Sequence, residues 1–127
     1  MLNESEVVAN VAVKDVKKAK QFYENTLGLE VVDDADFGVT FKSGATSRLF
    51  VYPTPMAGTA KSTCATWEVK DLKKVTEFLS GKGVEFEHYE FPGAEHEGPI
   101  HIMQGNRAAW FKDPDGNILG LSEITKQ

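Results

Sequence analysis

Apolar positions alternate with polar ones in two matching stretches of this chain. Over residues 7–13 the odd positions Val7, Ala9, Val11 and Val13 are all apolar. Over residues 63–69 the odd positions Thr63, Ala65, Trp67 and Val69 are mostly so. The even positions, Val8, Asn10 and Ala12 or Cys64, Thr66 and Glu68, mix in polar groups. A period of two marks a strand with one buried face, so Trp67 is expected in the core with Ala65 and Val69. Each stretch leads to an aspartate, Asp15 or Asp71, placed to accept the free N–H groups of a helix start. The period then becomes helical. Val16, Ala19, Phe22, Tyr23 and Leu27 share one face, as do Leu72, Val75, Phe78 and Leu79. Gly28 and the pair Gly81 and Gly83 act as stop signals.

Further strand patterns follow each helix, at about 29–34, 36–43 and 47–53, then at about 84–90, 106–112 and 117–124. Asp113-Pro114-Asp115-Gly116-Asn117 joins the last two by turn chemistry. The sequence itself repeats. Val13-Lys14-Asp15-Val16-Lys17-Lys18 recurs as Val69-Lys70-Asp71-Leu72-Lys73-Lys74, and Phe22 recurs as Phe78 at the same spacing of 56 residues. Two copies of β-α-β-β-β suit two similar modules related by a pseudo-twofold axis. Glycine in a strand interior often marks a close approach, and Gly120 falls in the middle of the last strand.

The segments "DVKKAKQFYENTLGLEVV" (Asp15 to Val32) and "AWFKDPDGNILGLSE" (Ala109 to Glu123) make the chain resemble the vicinal oxygen chelate superfamily, of glyoxalase, bleomycin-resistance and extradiol dioxygenase type. The resemblance spans about residues 6–124. It implies an α+β fold in which two tandem βαβββ modules, about 6–53 and about 63–124, form a curved mixed-sheet cup as a single domain over 1–127. Enzymes of this family hold a divalent metal at four positions on the first and last strands of each module, usually His, Glu or Gln. Carried onto this sequence, those positions are Val8, Val51 (within one residue), Cys64 and Gly120. Gly120 stands where the family places a carboxylate. A catalytic metal needs about three protein ligands, and one thiol among two valines and a glycine does not supply them. No metal and no cofactor is therefore expected at these positions. Val8, Val51, Cys64 and Gly120 are instead expected to face one cavity, with Asn10 and Thr66 as its polar contacts and Trp110 also turned inward.

Other residues add less. The segment Phe91–Asn106 is long for a loop, and loops of that length are often functional. It reads either as a solvated loop with incidental histidines or as a mobile lid over a pocket, with His101 or Met103 turned inward. It contains Glu95, His96, Glu97 and His101, but no HExxH spacing, and His88 in "EFEHYE" reads as a surface residue. Cys64 reads as a small, buried, unreactive cysteine, since no cation is in view to lower its pKa. The net charge of −5 argues against nucleic acid. The start "MLNESEVVAN" lacks a basic, apolar leader, and no stretch is long and apolar enough for a membrane span. With one cysteine, these features point to the cytoplasm. The function expected is a metal-independent small-molecule-binding protein acting as a homodimer. The alternatives are a glyoxalase-like lyase, isomerase or dioxygenase, and a non-catalytic regulatory subunit.

Overall fold

The computed structural model describes residues 1–123. After a single 3-10 turn at Leu2–Glu4, the first half runs β1 (Val8–Val13), α1 (Val16–Gln21), β2 (Glu30–Ala35), β3 (Gly38–Ser43) and β4 (Ser47–Pro53). The second runs β5 (Thr63–Val69), α2 (Leu72–Gly81), β6 (Glu95–Glu97), β7 (Ile100–Met103), β8 (Asn106–Lys112) and β9 (Ile118–Glu123). The sheets are ordered β1-β4-β3-β2 and β5-β9-β8-β7-β6. In each half the first strand therefore lies beside the last. Both expected helix caps form. Asp15 accepts from the Lys18 N–H at 3.1 Å, and Asp71 from the Lys74 N–H at 3.1 Å. Ile124, included in the sequence reading of the last strand, lies outside the described residues.

The chain divides into two compact units. The first comprises Met1–Cys64 together with Asp113–Asn117, and the second Ala65–Lys112 and Ile118 onward. In the first unit the alternation in β1 places Val11 and Val13 in the core with Val39, Phe41, Leu49 and Val51. Ala19 and Tyr23 of the helical segment are also buried. After Gln21 the helix widens into a π-turn at Phe22–Thr26, where the Leu27 N–H reaches the Phe22 carbonyl at 3.0 Å.

The Asp113–Asn117 turn is held in this first unit. Buried Asp113 accepts from the Tyr23 hydroxyl at 2.8 Å, and from the Asn117 side-chain amide and the backbone N–H groups of Asp115 and Asn117 at 2.9 Å each. The same Asn117 amide donates to the Ala12 carbonyl at 2.7 Å, and the Lys14 N–H donates to Asp115 at 3.2 Å. Gly58, at φ +76°, lies so close to the Asp115 carbonyl that a Cβ would collide with it.

In the second unit Leu72, Thr76 and Leu79 of α2 are buried, as are Ile100, Ala109, Phe111, Leu119 and Leu121 of the sheet. Four sequence expectations are corrected here. Ala65, Trp67 and Val69 share the better-covered face of β5, as the alternation requires, but each is half-buried rather than in the core. Phe78 is 61% exposed rather than a core residue, and Lys82 sits 5.2 Å above its ring. Residues 84–90 make only an isolated bridge, Phe86 to Phe111, with the Glu87 N–H donating to the Trp110 carbonyl at 2.7 Å. The segment 91–106, expected as a lid, contains the β6–β7 hairpin. It adds two strands to the sheet, and its residues Ile100 and His101 are buried.

Candidate functional site

Strand alternation decides which side chains can act together. In the second sheet His96 pairs with His101, His101 with Ala108, Ala108 with Ser122, and Trp110 with Gly120. Paired residues lie on the same face. That face therefore carries His96, His101, Ala108, Trp110, Gly120 and Ser122, while Phe111, Leu119 and Leu121 fill the opposite, buried face. Of the residues singled out from sequence, His101, Trp110 and Gly120 are brought together here.

The half-buried Trp110 sits among rings. His101 is 5.1 Å away, Tyr89 5.5 Å and Phe91 5.7 Å, each meeting it edge-on. Edge-to-face pairs at such spacings are favourable beyond the area they bury. Phe91 is exposed at the margin of the cluster. Across the β8–β9 ladder from Trp110 stands Gly120, so no side chain projects from that position on β9.

The remaining sequence-predicted residues lie elsewhere. Val8 and Asn10 are exposed on β1, and the Asn10 amide donates to the Val8 carbonyl at 3.0 Å. Val51 does not share their face. It pairs with Val11, is fully buried and belongs to the core of its unit. The residues of β4 on the face of Val8 and Asn10 are Arg48, Phe50 and Tyr52, with the last two rings stacked at 5.8 Å. The one-residue correction follows from the period of two, which sends neighbouring side chains to opposite faces. Thr66 is exposed on β5, and so is Cys64, against the expectation of a buried cysteine. Desolvation of the Cys64 sulfur, then the negative charge of Asp113, raises its thiol pKa above the ordinary value. A thiol so shifted is protonated at neutral pH, and the thiolate is the nucleophile and metal ligand.

These placements test the metal that family enzymes carry. The strand positions concerned hold Val8, Phe50 or Tyr52 in place of Val51, Cys64 and Gly120. The set offers a protonated thiol and, at most, a phenol. It does not fit a catalytic divalent ion.

A different cluster is not legible as one from sequence. One ring nitrogen from each of His88, His96 and His101 lies within 4.8 Å of the others. His88 and His96 are stacked at 4.2 Å, and His96 meets His101 edge-on at 4.6 Å. The signal for the last pair is present in "EHEGPIH". Gly98 and Pro99 form a two-residue turn, with Gly98 at φ +59°, and such a turn sets His96 opposite His101. His88 arrives from an irregular segment, for which periodicity gives no register.

His101 is fully buried, and burial is the main force lowering its pKa below 6.5. A hydrogen bond to Pro99 opposes this shift, while the neighbouring His96 and His88 add to it. The folded protein thus takes up this proton less readily than the unfolded chain. Linkage then gives the sign: this contribution to stability is constant above the unfolded value and is lost as pH falls below it. Urea midpoints in chelator-containing buffer should decline between neutrality and about pH 5, with a shallower decline in His101→Asn. Midpoints that rise on acidification across this window would contradict the assignment.

The sequence model of the Glyoxalase/Bleomycin resistance protein/Dioxygenase superfamily matches residues 7–121. An uncharacterized protein of Bacillus subtilis (strain 168), YetH, is 30% identical over 121 residues, covering 89% of this chain and 92% of that protein. Among solved structures, a member of the same superfamily from Sphaerobacter thermophilus DSM 20745 is 29% identical with a TM-score of 0.72, covering 94% of this chain and 96% of that one. TnmS3, an antibiotic-binding protein from Streptomyces sp. CB03234, is 23% identical with a TM-score of 0.66, covering 94% and 97%. At that identity the likeness is one of fold.

Proposed function

The chain belongs to the Glyoxalase/Bleomycin resistance protein/Dioxygenase superfamily, and from that membership we propose that it binds an apolar, planar small molecule without using the family's metal. The observation that carries this reading is the pairing of Trp110 with Gly120. Where family enzymes place a metal-binding carboxylate, this chain has no side chain, and the facing residue is an indole within an aromatic cluster. Small-molecule sites are commonly apolar with few polar groups, and ring stacking adds about 0.5–1.5 kcal/mol beyond area burial. Ser122 supplies a polar group on the same face, while buried His101, both of its nitrogens hydrogen-bonded, contributes ring surface. The fold is compatible with such a role, since TnmS3 is an antibiotic-binding protein.

The test is a fluorescence titration with the aromatic probe 1-anilinonaphthalene-8-sulfonate, paired with a hemithioacetal lyase assay in added Ni²⁺, Zn²⁺ or Mn²⁺. Saturable binding without metal-stimulated turnover supports the reading. Turnover that a chelator abolishes would place the protein among the family's enzymes instead.

The proposal extends to assembly and location. Closed twofold dimers are the commonest assemblies, and sedimentation equilibrium should give a species of twice the 14.0 kDa chain mass. A species of single-chain mass throughout the micromolar range would contradict this. A reducing cytoplasm suits the single Cys64. No helix among the described residues is long and apolar enough to cross a membrane.

A further inference from the structure

We propose that His88, His96 and His101 form a binding site for a first-row transition-metal dication of the Zn²⁺, Ni²⁺ or Cu²⁺ class, distinct from the positions at which family enzymes hold metal. The inference does not depend on the small-molecule reading.

The hydrogen bonds of the three rings fix their tautomers. His101 Nδ1 faces the Pro99 carbonyl at 3.0 Å, and a carbonyl only accepts, so this nitrogen carries the proton. Its Nε2 accepts from the Tyr89 N–H at 2.9 Å and so bears the lone pair. By the same logic His96 Nε2 donates to the Tyr89 carbonyl at 3.0 Å, and His88 Nε2 donates to the Glu90 carboxylate at 3.2 Å. In its neutral form each ring thus gives one N–H to a carbonyl or carboxylate and keeps one lone pair. That is the arrangement found behind metal-ligating histidines, where the second nitrogen is held by an oxygen acceptor.

Imidazole nitrogen suits Zn²⁺, Ni²⁺ and Cu²⁺ better than it suits Mg²⁺ or Ca²⁺. Three neutral rings leave the ion's charge uncompensated by its direct ligands. Glu90 stands just behind them, also 3.9 Å from His96 Nε2. Three ligands with a further open position match the ligand count of open zinc sites.

The rings must close in to bind. Zn–N bonds of about 2.0–2.1 Å in a tetrahedron put the nitrogens about 3.3 Å apart, whereas at present one nitrogen of each ring, Nδ1 or Nε2, lies within 4.8 Å of the others. His88 can supply most of that movement, because its side chain is 60% exposed. Buried His101 stays in place and exchanges its bond from the Tyr89 N–H for a bond to the metal. The tyrosine amide then becomes a reporter of occupancy.

The experiment is calorimetric titration of the full chain with Zn²⁺ alone, alongside ¹⁵N-resolved NMR. We expect one equivalent bound per chain, a shift of the Tyr89 amide on binding, and at least tenfold weaker affinity in His88→Ala and in His96→Ala. Neither of these two side chains is fully buried, and circular dichroism checks that the variants fold. Cys64→Ser should bind as the parent does. Absence of saturable binding would overturn the site. So would affinity unchanged in both histidine variants, or affinity lost in Cys64→Ser, since either result assigns the ion elsewhere.

Discussion

Replacing Asp113 with alanine is expected to lower the thermal midpoint by on the order of 10–20 °C. The carboxylate is buried and receives four hydrogen bonds, from the Tyr23 hydroxyl, the Asn117 amide and two backbone N–H groups. Alanine would remove the acceptor from all four bonds, those of the Tyr23 hydroxyl and of Asn117 being buried. Breaking a buried, charge-assisted network from one side costs about 3–5 kcal/mol, and each kcal/mol moves the midpoint of a domain this size by roughly 4 °C. Tyr23→Phe removes one donor only and should cost about 1.5–3 kcal/mol. The same contacts raise the Tyr23 hydroxyl's pKa far above its usual value, through burial first and the Asp113 charge second. The phenol therefore remains a donor throughout the accessible pH range. Urea denaturation of the two variants measures both effects. An Asp113→Ala loss below about 1 kcal/mol would mean that the network does not clamp the turn.

The second large effect concerns binding. Trp110→Ala should weaken the anilinonaphthalene probe at least tenfold, because it removes both the apolar area and the ring contacts with His101, Tyr89 and Phe91. Phe91→Ala, at the exposed margin, should weaken it less. Gly120→Glu should abolish binding and also lower stability, since it places a carboxylate at a buried position beside an indole. It should not create metal-stimulated turnover, because the other positions that the family resemblance assigns to a metal, Val8, Val51 and Cys64, contribute no carboxylate or imidazole. A Trp110→Ala protein that binds the probe as tightly as the parent would move the site off this face.

Much of this fold is legible in the sequence because its signals are local. The alternation around Val11 in β1 and around Trp67 in β5 identifies both strands, and Asp15 and Asp71 mark both helix starts. Alternation says which face of β5 is turned inward but not how fully it is covered, which is why Trp67 is half-buried rather than core. What fails is information that sequence carries only through distant partners. Nothing near Asp113 reveals that its carboxylate meets Tyr23, 90 residues away, and the turn's own residues speak only for its backbone. Module symmetry points to Val51, and a one-residue error in a strand reverses the face. The length of the segment from Phe91 suggests a loop, although Gly98-Pro99 between "EHE" and "IH" carries a hairpin signal. A loop reading separates His96 from His101 and hides the histidine cluster. Of the residues singled out from sequence, His101, Trp110 and Gly120 are the three that share one face of the second sheet. Strand alternation singles out Trp110, and the carboxylate that the resemblance leads one to expect, and the chain lacks, singles out Gly120.

Metal-independent binding is tested most directly by titrating the anilinonaphthalene probe into the parent protein and Trp110→Ala, each in excess chelator. Metal-independent binding at the Trp110 face requires saturable binding by the parent that the chelator does not alter, and at least a tenfold loss in the variant. Binding that disappears with the chelator, or that is the same in both proteins, would contradict it.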